Sequence, residues 1–274
     1  IGVVLTKLIP FQRKKLKYAY HFIMSKFVGS LVYVMANVNK KIINEYKENF
    51  SKPAIIIANH QSFLDILVLL MLHPKMIMLT NDWVWNSPVF GFVVRMADFQ
   101  LAVNTDAKID KIEEQVKDGY SVIIYPEGTR NKDGIIKRFH KGAFYLAEKL
   151  NIDILPIVLH GTGYCMTKNE FLLKNGLMTI KILDRIKPDD TSYGIGYAER
   201  TNKIAKYFKE EYRKLSEETE TAYYYKDQLI SNYLFKGPVL EWYMKVKLKL
   251  EKNYTIYNEI IPKKNKILDI GCGY

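Results

Sequence analysis

"NHQSFLD", residues 59–65, stands between the apolar runs "AIIIA" (54–58) and "ILVLLML" (66–72). Two core segments have no need of an amide, an imidazole, a hydroxyl and a carboxylate at their join. Part of the set fits a helix opening, in which the hydroxyl of Ser62 caps the first turn and the Asp65 carboxylate reaches back. That reading leaves His60 unexplained. Five residues along a helix rotate by roughly 500°, so His60 and Asp65 cannot share a helical face. They can meet if His60 lies just outside the helix and Asp65 in its first turn, pointing back. On this stretch alone two readings stand: a catalytic His–Asp pair, or a helix cap beside a structural histidine.

The flanks set the fold class. "KPAIIIAN" (52–59) is short, apolar and β-branched, the signature of a strand buried on both faces of a parallel sheet. The helix after it is expected to end near His73-Pro74, with "KMIML" as the next strand. Ile109, Ile112 and Val116 in "AKIDKIEEQVKD" (107–118) recur at helical spacing before Gly119. A strand "YSVIIY", a loop "PEGTRNKDG", a helix "KGAFYLAEKL" and strands "ILPIVLH" and "LMTIKIL" follow, and the charged helix "AERTNKIAKYFKEEYRKLSEE" closes the domain. Alternating helices and buried strands predict an α/β domain with a largely parallel central sheet flanked by helices.

The 274 residues are 48% hydrophobic, enough for a core, and Lys+Arg 41 against Asp+Glu 29 gives a net charge of +12. The surplus is concentrated at the start: Lys7, Arg13, Lys14, Lys15, Lys17, Lys26, Lys40 and Lys41 precede the first acid, Glu45. Basic amphipathic helices interleaved with aromatics suit an anionic bilayer surface. Nucleic acid is the rival partner, but no zinc spacing, RNP-type motif or basic repeat supports it. Cys165 and Cys272 are in no metal-ligand spacing, so neither a metal site nor a disulfide is assigned. No uncharged apolar run reaches the length of a membrane-spanning helix, and no signal peptide is recognised. The start at Ile1 and the stop inside "KILDIGCGY" read as the ends of an excerpt from a longer polypeptide.

"YPEGTR" (125–130) directly follows an expected strand, where open α/β sheets place ligand-binding loops. A turn explains the proline and glycine but not Glu127 and Arg130, and arginine suits a two-pronged grip on phosphate. "NHQSFLD" and "YPEGTR" together resemble the glycerolipid acyltransferase family typified by lysophosphatidic acid acyltransferases, with its N-H-x-S-x-x-D and F-P-E-G-T-R blocks. "SPVFGFVVRMADFQ" (87–100), "RFHKGAFYLA" (138–147) and "LPIVLHGT" (155–162) extend the similarity over roughly residues 20–215.

The resemblance implies an O-acyltransferase in which His60 is the general base and Asp65 fixes its tautomer. An acceptor hydroxyl attacks a fatty-acyl thioester directly, without a serine or cysteine nucleophile and without a metal. Glu127, Gly128, Thr129 and Arg130 then shape the acceptor pocket, with Arg130 on its phosphate and Lys141 adding charge. His140 and His160 fall in family blocks as further pocket candidates, and backbone amides near Ser62 are candidates for stabilising developing negative charge. The implied partners are a lysolipid acceptor such as 1-acylglycerol-3-phosphate, acyl-CoA or acyl-carrier protein as co-substrate, and the cytosolic face of a membrane, as in a bacterial inner membrane. No cofactor is required for acyl transfer. The family's second block normally carries an arginine, whereas "ADFQLAVNT" has no basic residue, which opens an amino-acid-headed or other lysolipid as an alternative acceptor. A catalytically vestigial membrane-tethering module is the reading from another class.

"NKILDIGCGY" resembles the first motif of class I S-adenosylmethionine-dependent methyltransferases. It marks Asp269, Gly271 and Gly273 as cofactor-binding in a complete domain only, so S-adenosylmethionine is not expected to serve this chain. The resulting division is a membrane-interfacial segment 1–41, an acyltransferase domain 42–218, a connector 219–237 and the start of a methyltransferase domain 238–274. An exporter, such an acyltransferase and such a methyltransferase joined in one bacterial polypeptide is the architecture these ends suggest.

Overall fold

The computed structural model describes residues 13–80, 82–88, 90–101, 105–131, 134–168, 172–233 and 236–261. Asp269, Gly271 and Gly273 lie outside them, as does the stretch 1–12 of the proposed interfacial segment.

The sheet grows from the runs the sequence marks. β1 (Val38–Ile43), β2 (Ile55–Ala58), β3 (Met76–Thr80), β4 (Gln100–Leu101), β5 (Ser121–Ile124), β6 (Ile154–His160) and β7 (Gly176–Ile182) form one seven-stranded sheet in the order β1-β7-β6-β2-β5-β3-β4. β2 pairs in parallel with both β5 and β6, placing Ile57 beside Ile124 and Pro156. β3 continues the parallel set through β5 and β4. Among the named strands of the described residues, β6 and β7 alone pair antiparallel, and β1 joins β7 in parallel. Every residue of β2 and of β6 is buried, as β-branched and leucine runs covered on both faces must be. The architecture is the α/β class expected, with helices flanking a mostly parallel sheet.

The elements between the strands follow the sequence pattern: α1 (Arg13–Val34), α2 (Leu64–Leu70), α3 (Asp82–Trp85), α4 (Phe90–Met96), α5 (Thr105–Lys117), α6 (Gly142–Leu150), α7 (Thr162–Cys165) and α8 (Gly196–Thr219). α5 buries Ile109, Ile112 and Val116, the residues at helical spacing. Phe208 of α8 packs edge-on against Phe139, whose ring also stacks on Phe144 of α6.

The basic start differs from a wholly interfacial segment in two respects. Residues 38–41 belong to β1, an edge strand whose alternating polar side chains carry no apolar-run signal. α1 also packs on the domain. His21 is buried with its Nε2 3.0 Å from the Ala97 carbonyl, Val28 and Val32 are buried, Lys17 pairs with Asp98 at 3.0 Å and Lys14 with Asp118 at 2.7 Å. The opposite side of the helix leaves Ile23 and Phe27 67% and 61% exposed, with Phe22 and Leu31 also exposed.

The chain divides into two compact units, 1–213 and 214–274. The second contains α9 (Ala222–Ser231), α10 (Pro238–Leu250) and α11 (Tyr254–Ile260). Thus the tyrosine-rich stretch read as a connector carries a ten-residue helix, capped by the Thr221 side chain on the Tyr224 amide.

Candidate active site

β2 and β5 run side by side and in one direction, so the residues that follow them, 59 onward and 125 onward, emerge at the same edge of the sheet. Asn59 fixes the first exit. Its side-chain amide donates to the Leu159 carbonyl at 2.7 Å and accepts the Leu159 amide at 2.8 Å. His60 follows outside α2 and Asp65 sits in that helix's first turn. Asp65, fully buried, places Oδ2 2.9 Å from His60 Nδ1 and accepts the Gln61 and Ser62 amides at 2.6 and 2.7 Å. One carboxylate thus both ties down the helix entry and holds the imidazole. Nδ1 is the donor in that bond, so the neutral ring carries its lone pair on Nε2, which has no partner among the described residues.

Ser62 is structural: its hydroxyl donates to the Met166 carbonyl at 2.7 Å and accepts the Leu64 amide at 3.2 Å. Of the amides near Ser62, candidates for holding negative charge, those of Gln61 and Ser62 are directed at Asp65 and that of Leu64 at the Ser62 hydroxyl.

The "YPEGTR" loop closes over His60. Glu127, 4% exposed, accepts the His60 amide on Oε1 at 2.9 Å and, on Oε2, both the Lys137 amide at 2.8 Å and the Asn131 side-chain amide. The Asn131 amide in turn donates to the His60 carbonyl at 2.9 Å. Both backbone groups of His60 are thus held by one turn 67 residues away in sequence. Burial raises the Glu127 pKa, opposed by the Lys137 and His60 amides and by the His60 charge. Glu127 thereby shapes the loop from inside rather than presenting its carboxylate on the pocket wall. Gly128 turns the loop with φ +72, a conformation that favours glycine, and a side chain there would meet the His140 ring at 3.4 Å.

Thr129 is exposed and Arg130 half-buried. The Arg130 carbonyl accepts the Lys168 ammonium at 3.2 Å, which puts a second cation at the same loop. Lys141 is exposed at the start of α6. His160, at the end of β6, is buried with its ring 5.8 Å from Tyr212. His73 stacks on Phe50 and His21 faces α1's packing partners, both away from this loop cluster. Burial pushes the Cys165 thiol up to about 12, an inert state for a nucleophile.

Three residues were not singled out in the sequence. Asn131 and Lys168 gave no signal in a polar loop. Tyr125 did, standing where the resembled block has phenylalanine; its ring lies parallel to the His60 imidazole, 4.0 Å between centroids and 14° between planes.

Residues 37–160 match the family model described as Acyltransferase. The chain is 32% identical over 179 residues to a chloroplastic 1-acyl-sn-glycerol-3-phosphate acyltransferase of Arabidopsis thaliana, covering 63% of this chain and 49% of that protein. It is 31% identical over 144 residues to the human 1-acyl-sn-glycerol-3-phosphate acyltransferase beta, covering 50% of this chain and 51% of the other. The chain spans about half the length of such curated relatives. Its fold is that of the 1-acyl-sn-glycerophosphate acyltransferase of Thermotoga maritima, with TM-score 0.65 and 21% identity over 78% of this chain and 87% of that one. Both the His60–Asp65 pair and the Glu127 loop fall inside the segment 37–160 that matches the Acyltransferase model.

Proposed function

We propose that this chain is an O-acyltransferase that moves a fatty acyl group from an acyl thioester to the hydroxyl of a lysophospholipid such as 1-acylglycerol-3-phosphate. The observation that supports the reading is the 2.9 Å bond between His60 Nδ1 and Asp65 Oδ2, which leaves the lone pair of the neutral ring on Nε2. In this scheme Nε2 takes the acceptor's hydroxyl proton as the oxygen attacks the thioester carbonyl. The C–O bond forms, the tetrahedral intermediate collapses, the C–S bond breaks and the imidazolium returns the proton to the leaving thiolate. Asp65 stabilises the imidazolium between the two transfers. The donor is acyl-CoA or acyl-carrier protein, and no cofactor enters.

Arg130, with Lys168 beside it, is proposed to hold the acceptor's phosphate, and Lys141 to add charge at the rim. The missing basic residue of the second block favours one alternative, a lysolipid with an amino-acid or other headgroup. The site is proposed to work at the cytosolic face of a membrane. Ile23, Phe27 and their exposed neighbours on α1 support this, as does Phe92 of the adjoining α4, 56% exposed. Among the described residues no helix is long and apolar enough to cross a bilayer. The test is incubation of the purified chain with a labelled acyl donor and a panel of lysolipids, with products identified by mass. Formation of diacylglycerol phosphate from 1-acylglycerol-3-phosphate supports the reading. Acylation of a different headgroup alone selects the alternative, and no acylated product with any acceptor refutes both.

A further inference from the structure

The proposed acyl transfer leaves one group beside the His–Asp pair unused. Tyr125 stacks its ring on His60, yet its hydroxyl is buried without a hydrogen-bond partner among the described residues. Asp65 Oδ1 is in the same position, buried and unpartnered, while Oδ2 of the same carboxylate takes three donors. Burial and the Asp65 charge together push the Tyr125 pKa well above its ordinary value, so the phenol keeps its proton and lies within the field of that carboxylate. A phenylalanine would stack equally well without burying a hydroxyl, which is costly when unmatched. Here a donor and an anionic acceptor of complementary type are both unmatched around one histidine.

We propose that Tyr125 is a positioning residue whose O–H reaches Asp65 Oδ1 through one bridging water, completing the carboxylate's shell and fixing Oδ2 on His60. The inference rests on His60 acting as the base. A donor on Oδ1 draws charge from the carboxylate and weakens its hold on the imidazolium, so it keeps His60 less basic than a bare pair would. Among the described residues, the titratable groups set against His60 are Asp65 from α2 and Tyr125 and Glu127 from the loop after β5, and Tyr125→Phe alters only one of them while keeping the stack.

The experiment compares the full chain with its Tyr125→Phe variant in two ways: the His60 ring titration by nitrogen NMR, and the pH dependence of kcat/KM with acyl-CoA and 1-acylglycerol-3-phosphate. The expected result is a His60 pKa raised by about half a unit, roughly threefold in proton affinity, with the acidic limb of the profile moving up by the same amount. Superimposable His60 titrations in two folded proteins overturn the tyrosine bond. Retained turnover in His60→Ala instead overturns the base reading, and the NMR comparison still decides whether Tyr125 and Asp65 are joined.

Discussion

Asn59 and Leu159 are joined by two hydrogen bonds, the side-chain amide of one matching both backbone groups of the other. This side chain locks the end of β2 to β6 at the residue before His60, and so sets the point from which the imidazole projects. Asn59→Asp keeps the size but removes the donor to the Leu159 carbonyl and buries a charge. The expected outcome is a loss of at least about 1–3 kcal/mol of stability, measured by denaturant unfolding. A variant as stable as the parent removes Asn59 from this role.

His60→Ala should lower turnover by about 10² to 10⁴ while leaving the far-ultraviolet circular dichroism unchanged. Asp65→Asn retains an oxygen for the Gln61 and Ser62 amides but loses the charge facing the imidazolium. It should therefore cost more in kcat than in melting temperature. Near-parent turnover in both returns the segment to a purely structural cap.

Glu127 has a different failure mode. Glu127→Gln turns an NH2 toward the His60 or Lys137 amide, setting donor against donor, and should destabilise by about 1–3 kcal/mol. Because the His60 backbone is held by this turn, kcat should fall even on the folded fraction. Full kcat per folded molecule would mean that the turn does not position His60.

Arg130→Lys tests the proposed phosphate grip, since an ammonium cannot reproduce the guanidinium fork. The acceptor KM for a phosphate-bearing lysolipid should rise about tenfold, or 1.4 kcal/mol, with the donor KM little changed. An unchanged acceptor KM places the phosphate elsewhere.

His21 supplies a pH signature independent of the site. Burial first, then the Lys17 charge, lowers its pKa to about 4. A depressed pKa contributes stability that is present above the unfolded value of about 6.5 and lost as pH falls toward the folded one, about 3 kcal/mol over that window. His21→Gln can still donate to the Ala97 carbonyl without titrating. Its stability should be flatter than the parent's between about pH 6.5 and 4, as read from thermal melts, and parallel curves would exclude His21 as the source.

The sequence alone determined what is short in range. Strands β2 and β6 are legible because a residue buried on both faces must be apolar, whatever its neighbours. The meeting of His60 with Asp65 is legible because five residues and one helix start confine both groups to a small volume. Tertiary structure decided the rest. Glu127 reads as a pocket residue in its motif and proves to be a buried clamp on the His60 backbone, because the direction of a carboxylate depends on which donors the parallel pairing of β2 and β5 brings to it. β1 was hidden because an edge strand needs backbone partners more than an apolar face, and its partner β7 lies far along the chain. Lys14 and Lys17 read as membrane-facing charges, yet Asp118 and Asp98 claim them, since a lysine on a helix cannot declare its partner until the helix is docked. Tyr125 differs from the resembled block by one hydroxyl, and only the fold sets that hydroxyl in a buried place, within the field of the carboxylate that holds His60.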